Sequence, residues 1–215
     1  LQMPRITKPT SEEINCALEL LKARRNREAI DLSLRLSKMY APSVPVIQLL
    51  SNAYIAIGDY KSAINEYSKL VEINSRNPKV LKNLGTLYLK NKEPEQAIKT
   101  FLRIMEISPN DAEAHYKIGN AYFDTNNFDL AIDNYKVAIE LKPNFFEATY
   151  NLANTLLTHE NFYKAVEIFE KCLAINPYHT GTLGNLGIAL LEIGKVEESI
   201  EIFTKLIQLA PSPIA

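Results

Sequence analysis

Apolar residues recur along this chain in short helical stripes separated by polar turns, most clearly between Ala112 and Phe145. Ile118, Tyr122 and Phe123 form one stripe there, and Leu130, Ala131, Ile132, Tyr135, Ala138 and Ile139 form a second. Thr125-Asn126-Asn127 separates them. Spacings of three and four predict two amphipathic helices joined by a tight turn. Pro143 closes the unit, because a ring without an N–H cannot extend a helix. A single helix pair of this size leaves much of its apolar surface in water, so the pattern predicts neighbours of the same kind.

The neighbours follow at a step of 34 residues. From Ala131 that step reaches Ala165 and Ser199 forward, and Ala97, Ala63 and Ala29 backward. From Gly119 it reaches Ala17, Ser51, Gly85, Ala153 and Gly187, all small. From Tyr135 it gives Ser33, Tyr67, Phe101, Phe169 and Phe203, and from Pro143 it gives Pro109, Pro177 and Pro211. The sequence therefore predicts one solenoid over residues 10–213, with six repeats near 10–43, 44–77, 78–111, 112–145, 146–179 and 180–213. Small residues at repeat positions 8 and 20 let two helices approach closely. The ring at position 24 is expected to fill the space between one repeat and the next.

The 34-residue period and the large–Leu–Gly–Tyr–Ala–Phe–Ala–Pro order resemble the tetratricopeptide repeat family, position by position in repeats three to six. The resemblance implies an all-α, right-handed superhelical solenoid of antiparallel helix pairs. First helices line its concave face and second helices its convex face. Repeat one departs most, with Glu13 at position 4 and Ser33 at position 24.

Bulk properties narrow the function. A net charge of −1 argues against a nucleic-acid binder, which carries a basic surface. There is no apolar run long enough for a membrane span and no secretory h-region in Leu1 to Thr10. Residues 1–9 read as a tail, with Leu1 and Gln2 a cloning remnant before Met3. Cys16 and Cys172 occupy positions 7 and 27, both expected to face the core, and lie too far apart along a solenoid for a disulfide. Two buried thiols fit a reducing, cytoplasmic compartment.

Local signals place the helix ends. Thr10 with Glu13, Asn110 with Glu113 and Asn144 with Glu147 have capping-box spacing. Asn77-Pro78 and Ser43-Val44-Pro45 start helices. Gly58-Asp59 and Gly194-Lys195 form turns inside repeats, and Pro94 opens the second helix of repeat three. Arg24-Arg25-Asn26-Arg27 reads as a solvated turn, and Pro211-Ser212-Pro213 ends the pattern.

Enzyme signals are missing. His115, His159 and His179 show no metal-ligand spacing, and there is no phosphate loop, nucleophile elbow or carboxylate pair. Neither cofactor nor metal is expected, and His115 reads as a packing residue. The first helices carry more information. In the family, positions 2, 5, 6, 9, 12 and 13 face the groove. Asparagine recurs there at Asn52, Asn83, Asn120, Asn151, Asn154 and Asn185, although it is a poor helix-interior residue. A carboxamide offers a donor and an acceptor together, which matches one peptide unit of an extended chain. The pattern is similar to the asparagine ladder of the O-linked N-acetylglucosamine transferase family. The competing explanation is that these amides bond a neighbouring helix.

Tyr116, Phe123 and Tyr150 add flat surface beside the ladder, either for a ligand or for groove-wall packing. Lys79, Lys82 and Lys90 fall on repeat three, whereas Glu113, Asp124 and Glu147 fall on repeats four and five. Chaperone-binding members of the family clamp a C-terminal carboxylate; here the matching positions read Gln48, Asn52, Asn83, Glu113 and Lys117, with Gln48 in place of the first cation and Glu113 in place of the second. That opposes a carboxylate clamp.

The expected function is a protein-interaction module that binds an extended peptide or partner segment in its groove. The resemblance also implies two alternatives, a recruitment domain of a larger glycosyltransferase or sulfotransferase and a self-assembling scaffold. Catalysis by the segment itself is not expected. In repeat six, Ile200, Phe203, Ile207, Ile202, Leu206 and Leu209 cover about half of the last helix. The natural protein is therefore expected to continue beyond Ala215, or to pack this end on another copy.

Overall fold

The computed structural model describes residues 8–40 and 43–209. The N-terminal tail up to residue 7, Ala41-Pro42 and the Pro211-Ser212-Pro213 stop signal lie outside the described residues. Among those described, twelve helices form and no strand. The first helices of the pairs are α1 Ser11–Lys22, α3 Val44–Ala56, α5 Pro78–Lys90, α7 Ala112–Asp124, α9 Phe146–Thr158 and α11 Thr180–Glu192. The second helices are α2 Asn26–Met39, α4 Tyr60–Ile73, α6 Pro94–Ile107, α8 Phe128–Leu141, α10 Phe162–Ile175 and α12 Val196–Leu209. From α4 onward, each helix starts 34 residues after its counterpart in the preceding pair. The architecture is an all-α helical repeat solenoid, in two compact units that meet in sequence between residues 108 and 109.

In the first unit α1 packs on α2 and α3, and each later helix up to α6 packs on the one before it. Its core holds Ala63, Tyr67, Leu70, Leu84 and Leu87. In the second unit α7 to α12 pack in the same order, and α9 also touches both α7 and α11. The core there runs through Ala131, Tyr135, Leu152, Ala153, Ala165, Phe169 and Leu186.

The ring at position 24 does more than fill the space between repeats: it lies against position 8 of its own repeat. A Cβ added at Gly119 would stand 2.6 Å from the Tyr135 ring, one at Gly85 2.7 Å from Phe101, and one at Gly187 2.6 Å from Phe203. These glycines are therefore packing residues, as the sequence indicated. The turns inside the repeats share one further rule. Position 15 has positive φ in all six: Arg24, Gly58, Lys92, Asn126, Glu160 and Gly194. Only two of these are glycine, so the others hold a backbone conformation that costs an L-residue about 1–2 kcal/mol.

Several expected helix starts are built differently. Thr10 and Glu13 do form a capping box, and Asn77 caps α5 by accepting from the N–H groups of Lys79 and Val80. Asn110 does not cap α7; Asp111 does, accepting from the N–H groups of Glu113 and Ala114 at 3.0 Å each. Asn144 does not cap α9, whose N-cap is Phe145 with no side-chain bond. Ser43 sits at the N-cap of α3 without a side-chain bond to it.

Cys16 is exposed, against the expectation of a core position, whereas Cys172 is buried. Position 7 is covered where a first helix rests on a preceding second helix, as Leu152 and Leu186 do on α8 and α10. α1 opens the described chain and has no such cover among the described residues. The same end explains Glu13. Its carboxylate accepts from the Tyr40 hydroxyl at 2.9 Å and ties α1 to the end of α2. The Thr10 backbone N–H and the Tyr40 hydroxyl together hold its carboxyl below the usual carboxylate range.

Candidate functional site

In the second unit the first helices α7, α9 and α11 lie side by side, so position 6 of one repeat comes within reach of positions 5 and 9 of the repeat before it. Asn151 Nδ2 donates to Asn120 Oδ1 at 2.9 Å and to the Tyr116 hydroxyl at 3.4 Å. One repeat later, Asn185 Nδ2 donates to Asn154 Oδ1 at 2.7 Å and to the Tyr150 hydroxyl at 3.3 Å. The Tyr135 hydroxyl reaches up from α8 and donates to the same Asn120 oxygen at 2.8 Å. Two equivalent rungs result, each half-buried.

The rungs settle part of the question the sequence left open: these amides do bond the neighbouring helix. They do so with half of their capacity. Asn120 and Asn154 use their oxygens as acceptors, and Asn151 and Asn185 use their nitrogens as donors. Among the described residues, the Asn120 and Asn154 amino groups and the Asn151 and Asn185 oxygens have no protein partner. Each rung thus retains one donor group and one acceptor, side by side.

The remaining expected residues are placed unequally. Asn52 and Asn83 are exposed on α3 and α5 of the first unit and make no rung. Asn83 instead donates to the Tyr67 hydroxyl at 3.2 Å. Lys79 is exposed near the start of α5, Lys82 is half-buried, and Lys90 lies 5.7 Å from the Tyr60 ring centre. Lys117 stands at position 6 of α7, where an asparagine would otherwise be, with Nζ 5.5 Å from the Tyr116 ring centre.

The aromatics are partly wall. Tyr116 packs 5.0 Å from Phe145, and Phe123 lies 5.6 Å from Phe128. Tyr150 stacks parallel on Phe146 at 6.0 Å, with the His179 ring edge-on at 5.0 Å. A Cβ at Gly181 would stand 2.9 Å from the Tyr150 hydroxyl, so that glycine leaves room for the hydroxyl to meet Asn185. His115 is buried, with Nδ1 3.4 Å from Asn134 Oδ1, in keeping with a packing role.

Four residues on this face have roles that were not singled out from sequence. The Tyr135 hydroxyl belongs to a rung; a tyrosine where later repeats carry phenylalanine was its signal, because a buried hydroxyl needs a partner. Burial carries its ionisation above the ordinary tyrosine range. His179 caps α11, its Nδ1 accepting from the Thr182 N–H at 3.1 Å. Ile188 and Leu191 expose aliphatic surface on α11 at positions 9 and 12.

The rim of this face is acidic. Glu113, Asp124, Glu147 and Glu192 are exposed on the three helices. Desolvation pushes the Asp124 carboxyl above its ordinary value. No group of three or more His, Cys, Asp or Glu that could hold a metal occurs among the described residues. No helix among them is long and apolar enough to cross a membrane. The face presents amide hydrogen-bond donors and acceptors in apolar and acidic surroundings.

Comparison with known proteins agrees with this architecture. Sequence profiles described as tetratricopeptide repeat match residues 54–121, 146–179 and 181–213, and one described as TPR repeat matches residues 119–159. No curated protein sequence matches. Among solved structures, a crystal structure of MamA is 27% identical with a TM-score of 0.70, covering 74% of this chain and 94% of that one. YrrB, described as a TPR protein with an unusual peptide-binding site, is 24% identical with a TM-score of 0.66, over 82% of this chain and 91% of its own. The C-terminal part of a TPR repeat-containing protein from Cytophaga hutchinsonii shares the fold at 18% identity and a TM-score of 0.76, over 91% of this chain and 78% of that one.

Proposed function

The chain belongs to the tetratricopeptide repeat family, and from that premise we propose that it is a protein-interaction module that holds an extended peptide along α7, α9 and α11. The supporting observation is the half-used carboxamide pair in each rung. Asn120 with Asn151, and Asn154 with Asn185, each retain a donor and an acceptor, the complement of one peptide C=O and N–H. The bonds within a rung fix the orientation of its amides beforehand, so little side-chain freedom is lost when a peptide arrives. Each bond to a neutral peptide group contributes about 0.5–1.5 kcal/mol, so two rungs give modest affinity that is tolerant of sequence. That YrrB, on the same fold, is described with a peptide-binding site supports this class of ligand.

The test is a displayed library of unstructured peptides selected on the full chain, then repeated on Asn120→Asp/Asn154→Asp. Aspartate keeps the oxygen that accepts within each rung and removes the amino group left for the ligand. Selected peptides should bind the parent and lose most of their affinity for the double variant. Peptides that bind both chains equally would place the site elsewhere and end this proposal.

A further inference from the structure

The net charge of −1 conceals a basic unit and an acidic one. The first unit carries 17 lysines and arginines against 11 aspartates and glutamates, and the second carries 7 against 14. The turns inside the repeats, at positions 13 to 18, are divided in the same way. Seven cations and three acids occupy these positions in the first unit, whereas one lysine and five acids occupy them in the second.

Successive turns touch, so within each unit they make a continuous edge. Asn26 Nδ2 donates to the Ala56 carbonyl at 3.5 Å, and Lys90 Nζ lies 5.7 Å from the Tyr60 ring centre. In the second unit, His159 Nε2 stands 3.8 Å from Asp129 Oδ1. On the basic edge Lys22 and Arg25 are paired locally with Glu19 and Glu28. Arg24, Arg27, Lys61 and Lys92 are exposed and make no ion pair among the described residues. On the acidic edge the same holds for Asp124, Glu160, Glu192 and Glu197. Lys61, Lys92 and Glu160 belong to interior repeats, so exposure here does not depend on a neighbouring repeat.

A solvated charged edge needs no partner by itself. Two edges of opposite sign on one turn scaffold are a different arrangement. In both units the turn recurs every 34 residues with a left-handed residue at position 15. The charges are therefore presented from the same backbone at the same step. Three basic turns of one copy can face three acidic turns of another in register, a spacing that an unrelated partner has no reason to share. Each exposed pair contributes little and is screened by salt. Several in register act together and orient the encounter.

We propose that the basic turn edge of the first unit is an interaction surface for a second copy of this chain, which meets it with the acidic turn edge of its second unit. The contact uses positions 13 to 18 and leaves the rung residues at positions 5, 6 and 9 free, so it stands apart from peptide binding.

The experiment is sedimentation equilibrium of the full chain, 24.3 kDa as a monomer, from micromolar to millimolar concentration. It is run in about 10 mM and about 1 M salt, where charges are felt over roughly 30 Å and 3 Å. The mean mass should rise with concentration in low salt and return to the monomer value in high salt. Arg24→Glu/Arg27→Glu reverses the basic edge, and Glu160→Lys/Glu197→Lys reverses the acidic one. Both variants should fold, because each change installs a charge that another repeat carries at that position: Glu160 and Glu95 for the first, Lys92 and Lys61 for the second. Each variant alone should stay monomeric in low salt, and an equimolar mixture should regain the association of the parent. Arg35→Glu/Lys99→Glu has the net charge of the first variant but lies on exposed positions away from the turns, and should associate as the parent does. A parent that stays monomeric throughout in low salt overturns the proposal. So does a mixture that fails to associate, association that survives high salt, or equal weakening by the control away from the turns. Binding of a monomeric parent to phosphatidylserine vesicles, lost in Arg24→Glu/Arg27→Glu, would also overturn it and give the basic edge to a lipid surface.

Discussion

Asn151 Nδ2 lies 2.9 Å from Asn120 Oδ1, so the two asparagines join α9 to α7 through their side chains. Asn185 and Asn154 join α11 to α9 in the same way at 2.7 Å. The amides that are candidates for ligand binding therefore also hold neighbouring helices together.

Stability should register that double role. Asn151→Ala removes the donor to Asn120 and to Tyr116, and should lower stability to urea by about 0.5–1.5 kcal/mol. Asn185→Ala should cost a similar amount, and the pair should be close to additive because the rungs do not share a side chain. Unchanged denaturation midpoints in both variants would show that the rung bonds add nothing to the fold.

Ala131 has no exposed surface and sits where α8 meets its neighbours. Ala131→Leu should destabilise by roughly 1–3 kcal/mol through overpacking. A thermal midpoint equal to that of the parent would mean the helices around position 20 have room that the packing does not show.

The repeat frame was legible because its physics is local and periodic. Small residues at position 8, rings at position 24 and the 34-residue step mark consecutive helix pairs before any contact is known. The partners of the asparagines were not legible. A carboxamide that bonds the next helix and one that bonds a ligand need the same residue at the same position, and the rung partners lie 31 and 35 residues away in sequence. The exposure of Cys16 was missed for a related reason: position 7 is buried by a preceding helix, and α1 has none among the described residues.

The turns offer a test of stored backbone strain. Lys92 and Glu160 hold φ of 61° and 58° at the same repeat position where Gly58 and Gly194 hold 77° and 79°. Lys92→Gly and Glu160→Gly should each stabilise by about 0.5–1 kcal/mol, the relief of left-handed strain being partly offset by the looser unfolded chain. A fall in melting temperature for both would show that the native side chains contribute more than the strain costs.

Equivalent positions in α8 and α12 differ in cover. Ile132 is 8% exposed beneath α9, and Ile200, its counterpart two repeats on, is 59% exposed. Ile132→Ala should cost about 2–5 kcal/mol, and Ile200→Ala less than about 0.5 kcal/mol. Equal losses in the monomeric chain, measured by denaturation at low concentration, would mean that Ile200 is covered in solution.

The two thiols should separate chemically. Cys16 is exposed, whereas burial pushes the Cys172 thiol up to about 12. At pH 8 an aromatic disulfide reagent should label one thiol in the folded chain and two in denaturant, the slow one being Cys172. Its ionisation also couples to stability. The unfolded chain releases the Cys172 proton near the ordinary value of 9.0, whereas the folded chain keeps it until about 12. Between those limits the unfolded state binds fewer protons, so stability must fall as pH rises. Burial moves the Tyr135 hydroxyl in the same direction and steepens the fall above pH 10. Cys172→Ala should lose some packing at neutral pH but show a shallower decline between pH 9 and pH 10. Denaturation curves collected across that range give the slope for each chain. Identical slopes in parent and variant would show that Cys172 ionises as readily in the folded state as in the unfolded one.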